Sequence, residues 1–241
     1  NGSGGNNGTM TNFSTFSTDV PVELFSRKSI TLDGVDDFVD CGNPASLQIT
    51  GDLSISAWFK TSSTSAQVIV GKDGENPTRS FLLIYSASSN TIKFIIFQGG
   101  SISVAASTSL VADGNWHHVL AVNDGTDLKI YIDGVLEDTN VGGGGSIDNT
   151  SAEFHIGKKE RATGDFFNGA IDEVAVWNND QSANVTTIYN SGVPNDISSL
   201  SPLSWWRCGD GDTAPTLTDN GIGGNNGTMT NFTTFSTDVP T

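Results

Sequence analysis

The chain is short of positive charge and of long apolar runs. Its 241 residues include 11 lysines and arginines against 27 aspartates and glutamates, for a formal net charge of −16. This balance argues against a nucleic-acid partner, because binding to phosphates requires clustered positive charge. No apolar run approaches the roughly 20 residues of a membrane-spanning helix, and no charged-then-apolar leader opens the chain. We therefore expect neither a nucleic-acid surface nor a membrane span.

Recognisable catalytic motifs are missing as well. The sequence has no nucleophile elbow, no phosphate-binding loop and no His-Glu-x-x-His zinc motif. His117 and His118 are adjacent in a strand-like segment, so their side chains are expected on opposite faces. We therefore predict that the protein is not an enzyme.

Cysteine is scarce. Cys41 and Cys208 are the only two in the chain, which is too few for a disulfide scaffold, and their spacing matches no metal motif. Each lies beside a strand-like segment. They are either two unrelated, half-buried thiols or one disulfide that ties the carboxyl end of the chain to its first strands.

Strand signals, by contrast, fill the chain. Short segments rich in β-branched and aromatic residues follow one another, separated by Asp-Gly and poly-Gly turns. This pattern predicts an all-β, two-sheet antiparallel sandwich. The only helix signal lies at 181–192, with Ser182 as N-cap and Gly192 as C-cap. The predicted strands are 29–32, 38–41, 53–60, 67–72, 80–87, 91–98, 101–107, 117–124, 128–134, 153–158 and 170–177.

The last of these strands carries an acidic residue on an apolar face. Strict alternation from Ala170 places Asp172 in phase with Val174 and Val176. A carboxylate is costly to bury there unless hydrogen-bond donors or a cation satisfy it. Asp172 is therefore either a structural hydrogen-bond acceptor or a metal ligand.

A near-identical repeat frames the chain. Residues 4–21 return as residues 223–240 with one substitution, Ser14 against Thr233. Two copies a domain length apart indicate that the chain comes from a tandem array of very similar units.

Five motifs also stand in order between residues 28 and 192: SITLDGVDDFVDCG, LSISAWFK, DGNWHHVLAV, LKIYIDGVLED and IDEV. Together they resemble a laminin-G-like domain of the concanavalin A-like lectin/glucanase superfamily. The resemblance implies a jelly roll with one short helix after the IDEV strand. It also implies that His117 and His118 are structural and hydrogen-bond neighbouring loops.

The repeat and the resemblance together predict three regions. Residues 1–26 are the later half of a unit's opening, 27–200 the laminin-G-like sandwich, and 201–241 the opening of the next unit. The last region either folds back as an edge strand or is loosely held. We favour the first arrangement, because an exposed strand bearing Trp205 and Trp206 would promote association.

The resemblance also bears on catalysis. Retaining glucanases of that superfamily use two carboxylates about 5 Å apart on one strand face. The run Glu-x-Asp-x-x-Glu that would carry them is absent, and Asp172 and Glu173 are adjacent, so a regular strand points them to opposite faces. The alternative to a non-catalytic domain is an accessory carbohydrate-binding module, or a carbohydrate-active enzyme whose carboxylates come from different strands.

Calcium is the one cofactor that the sequence favours, as a structural ion. Asp33, Asp36 and Asp37 stand around a glycine turn, and calcium binds several hard oxygen ligands. The resemblance implies that the first and last strands are neighbours, which would add Asp172 to the group. The other interpretation is a solvated acidic turn that closes a hairpin.

A ligand site is expected where two loops meet. Pentraxins, a related calcium-dependent family, hold two ions between a loop after an early strand and a loop before the IDEV-like strand. The second loop here carries Lys159 and Arg161 where acidic ligands would stand, so a double-calcium site is not expected. The basic loop suits an acidic or sulfated glycan, or salt bridges to the acidic loop. The ligand candidates are Asp73, Glu75, Asn76, Arg79, Lys159, Arg161 and Phe166.

These expectations combine into a non-catalytic laminin-G-like repeat of an extracellular adhesive or filamentous protein, on a cell or virion surface. A low share of charged residues, 16%, and near-identical flanking copies suit a long secreted string. The expected partners are neighbouring copies of the repeat, joined by strand exchange, and a glycan or another cell-surface ligand.

Overall fold

A computed structural model describes residues 26–160 and 165–241, so the amino-terminal repeat copy and Arg161 lie outside the described residues. Two antiparallel sheets of eight strands each form a sandwich. This architecture confirms the predicted all-β fold. One short α-helix, α1 (Val185–Tyr189), follows the strand that contains IDEV, also as predicted.

The first sheet is organised around its longest strand. Its members are β1 (Ser29–Asp33), β3 (Leu53–Lys60), β8 (Trp116–Asn123), β9 (Leu128–Ile132), β10 (Val135–Asn140), β12 (Asn168–Trp177), β13 (Ser204–Trp206) and β16 (Phe235–Ser236). The order is β10-β9-β8-β3-β12-β1-β16, and β13 also pairs with β12. β1 pairs with the first half of β12 and β13 with the second half. Two strands from opposite ends of the chain therefore share one edge of β12.

The second sheet runs in the order β14-β15-β2-β11-β4-β5-β6-β7. Its members are β2 (Phe38–Asp40), β4 (Gln67–Asp73), β5 (Arg79–Ser86), β6 (Thr91–Gln98), β7 (Ser101–Ala106), β11 (His155–Ile156), β14 (Thr216–Leu217) and β15 (Gly227–Thr230). Single 3₁₀ turns span Ala45–Leu47, Ser182–Asn184, Asn190–Gly192 and Ser198–Leu200. Among the described residues, no helix has the length and apolar character to cross a bilayer.

The main core lies between the two sheets. Alternate residues of each strand face it, as on β3, where Leu53, Ile55 and Phe59 are fully buried. Burying each such side chain contributes roughly 1.5–3 kcal/mol. Both faces of β3 are covered, because Ser54 and Trp58 on the other face are buried too.

The outer face of the first sheet is covered by the chain that follows β12. Trp177, Ile188 and Trp205 pack there in a second apolar cluster. The helix ends at Tyr189 and is followed by Asn190, whose φ of 48° provides a left-handed C-cap. The predicted caps Ser182 and Gly192 are therefore wrong, because the α-helical turn is shorter than the 181–192 segment.

The carboxyl-terminal segment belongs to both sheets. Trp205 and Trp206 are 4% and 0% exposed, and the indole N–H of Trp206 donates to the carbonyl of Asn225 at 2.8 Å. β15 pairs with β2 and β16 pairs with β1. Residues 201–241 and 27–200 thus share one core.

Candidate functional site

Three of the four predicted calcium ligands lie together at the turn after β1. Carboxylate oxygens of Asp33, Asp36 and Asp37 all lie within 4.8 Å of one another. Asp33 accepts the backbone N–H of Val35 at 2.8 Å, and Asp37 accepts that of Asp33 at 3.1 Å. Burial, and then the neighbouring carboxylates, raise the pKa of Asp37. The turn therefore concentrates negative charge, and its remaining oxygens suit a calcium ion.

The fourth predicted ligand, Asp172, lies elsewhere, and the strict alternation predicted for β12 is wrong at this point. Glu173 has a φ of 48° and forms a β-bulge in the pairing with β3. The bulge shifts the phase by one residue, so Ile171 joins Val174 and Val176 in the main core. Asp172 is not in phase with the valines.

Asp172 and Glu173 instead form a buried pair of hydrogen-bond acceptors. Asp172 accepts the Ser26 hydroxyl at 2.6 Å. Glu173 accepts the indole N–H of Trp205 at 2.6 Å and Nε of Arg207 at 3.1 Å. Burial raises the pKa of Asp172 well above its usual value and that of Glu173 to about 7. Both carboxyl groups are buried, and Trp205 and Arg207 of the 201–241 segment cover Glu173.

The histidines expected to be structural are held by neighbouring groups. His117 Nδ1 bonds Asp133 at 2.8 Å, and its Nε2 bonds Asp113 at 3.2 Å. His118 Nε2 bonds the Ser56 hydroxyl at 2.8 Å. Burial lowers the pKa of His118 to about 4, so this ring is neutral and closed to solvent.

A fixed arginine stands at one rim of the second sheet. Arg79, at the start of β5, donates from Nε to Oδ1 of Asp73 at 2.7 Å and from Nη2 to Oδ2 at 3.3 Å. Asp73 is fully buried. The guanidinium lies 3.9 Å from the centre of the Phe97 ring. An ion pair on one side and an aromatic face on the other thus orient Arg79.

Arg79 borders a cleft of about 300 Å³. The cleft is lined by Asn76, Pro77, Arg79, Phe97, Gly100, Ile102 and Asp148. Ile102 is 57% exposed and pairs with Phe97 across β6 and β7. Asp148 is held in place, because its Oδ1 accepts the Gly99 N–H at 2.8 Å. The cleft combines an apolar wall with a cation, an amide and a carboxylate, the mixture that small polar ligands require.

Two other clefts are less suited to a ligand. One beside Lys60 has a volume of about 280 Å³ and one beside Ile49 about 410 Å³. Neither has an aromatic residue in its lining. The cleft at Arg79 is therefore the best candidate among these three.

The predicted ligand residues divide into two groups. Asp73, Asn76 and Arg79 stand at the cleft, with Glu75 exposed beside them. Lys159 pairs with Asp165, so its charge is offset locally. Phe166 lies 6.4 Å from Phe38, ring centre to ring centre. Arg161 lies outside the described residues.

Sequence patterns did not single out Phe97, Ile102 or Asp148. One signal was present on β6, where Ile95 and Phe97 place apolar side chains on the face opposite the core. A strand that is apolar on both faces indicates that both are covered or occupied. Asp148 carried no signal, because its position depends on a loop that spans the sheet rim.

The two cysteines are not bridged. Both Cys41 and Cys208 are free and buried in the main core. Burial raises the pKa of both thiols well above the ordinary value, so both remain protonated and unreactive. The structure therefore holds the two cysteines as separate, buried thiols.

Comparisons with known proteins agree with this architecture. The laminin G family model, described as concanavalin A-like lectin/glucanases superfamily, matches residues 33–185. Neurexin 1 of Drosophila melanogaster is 24% identical over 127 residues, which is 52% of this chain and 7% of the neurexin. The chain therefore spans only a small part of that relative.

Three solved structures share the fold at low identity. A Bacteroides ovatus protein, proposed by its name to bind carbohydrate, superposes with a TM-score of 0.70 at 19% identity over 90% of this chain and 62% of that one. The CBM40 of a Ruminococcus gnavus IT-sialidase, bound to α2,3 sialyllactose, gives 0.53 at 14% over 67% and 98%. Mouse laminin α1 domains LG4-5 give 0.51 at 15% over 71% and 47%.

Proposed function

This chain belongs to the laminin G family of the concanavalin A-like lectin/glucanases superfamily, and on that premise we propose that it is a non-catalytic glycan-binding module of an extracellular repeat protein. Two structural relatives support a glycan as the ligand, since their names refer to carbohydrate binding and to a bound sialyllactose. The proposed location is a cell or virion surface, in an adhesive or filamentous protein.

The cleft at Arg79 is the observation that carries this proposal. A sugar ring presents an apolar face and a rim of hydroxyls. Ile102, 57% exposed, and Pro77 would contact the apolar face. Arg79 and Asn76 would donate to hydroxyls, and Asp148 would accept from them. Because Asp73 fixes the guanidinium before a ligand arrives, little side-chain ordering is left to oppose binding.

The charges at the cleft favour a neutral glycan. The positive charge of Arg79 is balanced by Asp73 at 2.7 Å, and Asp148 adds a negative charge to the lining. Among the described residues that line the cleft, an anionic sugar would meet one cation and one carboxylate, in a chain whose net charge is −16. We therefore propose neutral pyranose sugars, in place of the acidic or sulfated glycan that the basic loop suggested.

A glycan array with neutral, sialylated and sulfated members tests the ligand class. The proposal predicts signals on neutral glycans that resist salt, because hydroxyl recognition is screened little. Release of shorter sugars from a bound polysaccharide would indicate the alternative, a carbohydrate-active enzyme. Signals confined to sulfated glycans and lost in salt would contradict the proposed neutral ligand.

We also propose that the turn after β1 holds a structural calcium ion. Asp33, Asp36 and Asp37 would supply the carboxylate oxygens, which lie within 4.8 Å of one another. Calcium at 100 times its Kd is expected to stabilise the fold by about 2.7 kcal/mol. Asp36→Asn should remove most of that gain, whereas Asp52→Asn should keep it, when thermal unfolding is followed with calcium and with chelator. A wild-type protein that does not respond to calcium would contradict this site.

Neighbouring repeat units are the second proposed partner. Residues 223–240, which supply β15 and β16, differ from residues 4–21 at one position. Either copy has the sequence needed to pair with β2 and β1. In a tandem array, one unit could therefore be completed by the segment of the next, joining units head to tail by strand exchange.

A further inference from the structure

A second cluster of polar side chains lies on the outer face of the second sheet, away from the cleft and the acidic turn. His155 of β11 stands directly opposite Asp40 of β2 in the strand register. On its other side His155 pairs with Gly71 of β4, where the Lys158 carbonyl and the Leu82 side chain pack closely against the backbone. Glu153, two residues before His155, completes the cluster. Three potential ligands thus converge from two strands and the segment that leads into one of them.

The distances between these groups are those of metal ligands and are long for hydrogen bonds. Nε2 of His155 lies 3.5 Å from Oε2 of Glu153 and 3.8 Å from Oδ1 of Asp40. One ligand atom from each of the three residues lies within 4.8 Å of the others. Two ligand atoms at 2.0–2.1 Å from one tetrahedral zinc ion are roughly 3.4 Å apart. An ion fits between these side chains with little rearrangement.

The imidazole is buried and incompletely bonded. The side chain of His155 is 2% exposed, and Nδ1 has no hydrogen-bond partner among the described residues. The ring packs against Phe38 at 5.4 Å, edge to face. Its Nε2 is the ring nitrogen that faces the carboxylates of Glu153 and Asp40, and an imidazole nitrogen is a common metal ligand.

The surrounding charges leave room for a cation. Asp40 and Glu153 are partly exposed, and the carboxylate of Glu160 accepts the Glu153 N–H at 2.9 Å. Lys158 is one nearby cation, with Nζ 3.6 Å from the centre of the Phe38 ring. The buried ammonium group of Lys72, which interacts with Glu160, is a second. Three carboxylates therefore face two ammonium groups. This excess of negative charge suits a divalent ion. The Lys158 side chain would turn towards solvent when the ion binds.

From this arrangement we propose that Asp40, Glu153 and His155 bind a divalent transition-metal ion of the zinc type. One nitrogen and two carboxylates are ligands that zinc accepts, with water in the fourth position. Calcium prefers an all-oxygen shell, so this site is chemically distinct from the acidic turn. The inference does not depend on glycan binding.

Zinc titration by calorimetry tests the site, using chelator-treated full-length protein with calcium present throughout. His155→Gln and Asp40→Asn are each expected to weaken zinc binding at least tenfold. His117→Gln is the matched control, because His117 also lies between two carboxylates but bonds them through both nitrogens, at 2.8 and 3.2 Å. The control should bind zinc as the wild type does.

A second variant keeps the test independent of any folding defect. Lys158→Met removes the competing ammonium group and should tighten zinc binding severalfold. Cobalt added to the wild type should give the visible absorption of a low-symmetry nitrogen and oxygen shell, absent in His155→Gln. No zinc binding by the wild type, equal affinity in His155→Gln, or loss confined to His117→Gln would each overturn the proposal.

Discussion

At the scale of single residues, Glu173 lies where one edge of β12 changes partner. β1 pairs with residues 168–171 and β13 with residues 174–176. The left-handed backbone of Glu173, with a φ of 48°, falls between the two. Its carboxyl group contacts Trp205 and Arg207, so it fastens the carboxyl-terminal segment to β12. Two donors thus satisfy a carboxyl group that is costly to bury alone.

Glu173 gives the protein a pH-dependent stability. Burial raises its pKa from 4.5 to about 7, so the folded protein holds this proton at pH values where the unfolded chain has released it. The resulting stabilisation is complete below pH 4.5 and is lost as the pH rises through 7. The expected loss is about 3 kcal/mol, and the raised pKa of Asp172 acts in the same direction. Urea unfolding at pH 5 and pH 8 measures it.

Substitution of the group isolates its contribution. Glu173→Gln cannot ionise and should reduce the change in stability between pH 5 and pH 8, leaving the part that Asp172 contributes. Glu75→Gln changes an exposed residue and should show the same change in the free energy of unfolding between pH 5 and pH 8 as the wild type. If the free energy of unfolding of Glu173→Gln changes with pH as much as that of the wild type, the pH dependence comes from other groups.

The sequence could not reveal this site in full. Alternation predicted that Asp172 would need hydrogen-bond donors or a cation, and Ser26 supplies the donor at 2.6 Å. A bulge adds one residue and leaves the apolar composition of a strand unchanged, so IDEVAVW fits either phase. The donors to Glu173 come from residues 205 and 207, about 30 positions along the chain, and no local pattern could pair them.

At the scale of elements, the carboxyl-terminal strands are short but structurally central. β13 covers the second half of β12, and β15 covers β2. Between them Trp206 is fully buried, with its ring 5.3 Å from that of Phe154. The segment therefore closes the core that residues 27–200 would otherwise leave open.

Replacing one tryptophan of the carboxyl-terminal segment tests how much this segment contributes to the stability of the core. Trp206→Ala is expected to lower the free energy of unfolding by about 3–5 kcal/mol, because a large core side chain and its hydrogen bond are lost. Trp116→Ala, at a half-buried indole that bonds Asp238, should cost clearly less. Chemical denaturation of both variants gives the comparison, and equal, small losses would show that the segment is not part of the core.

Most strands could be predicted because their alternation is strong. Between residues 29 and 177 the structure adds one that the sequence pattern did not indicate, β10 (Val135–Asn140). Its residues are polar or exposed and it lies at the edge of its sheet. Its sequence therefore lacks the alternation of apolar and polar residues that burial of one face produces. β15 and β16 were missed for another reason, since their pairing with β2 and β1 joins residues about 200 positions apart.

At the scale of the whole molecule, the two repeat copies are expected to compete for one place. Met229 of β15 is 4% exposed, and Met10 is its match in the amino-terminal copy. Met229→Glu buries an unpaired charge, yet the other copy can take its place, so we expect a loss under about 1 kcal/mol. The double variant Met10→Glu with Met229→Glu should lose more than about 3 kcal/mol.

Thermal and chemical unfolding of the three variants shows whether one repeat copy can replace the other. Met10→Glu alone is the control and should be as stable as the wild type. Light scattering on Met229→Glu then shows whether the replacing segment comes from the same chain or from a second one. If Met229→Glu alone is as unstable as the double variant, the copies are not interchangeable, and strand exchange between units is contradicted.

The two sheets also differ in what they leave open. The first is covered by the segment that contains α1, whereas the second carries the Arg79 cleft at its rim. Calorimetry with a neutral glycan selected on the array tests binding at this cleft most directly. The double variant Asn76→Ala with Ile102→Ala should weaken binding at least tenfold, while Ile222→Ala, at an isoleucine 75% exposed outside the cleft, should bind as the wild type does. An unchanged Kd in the double variant would contradict the account.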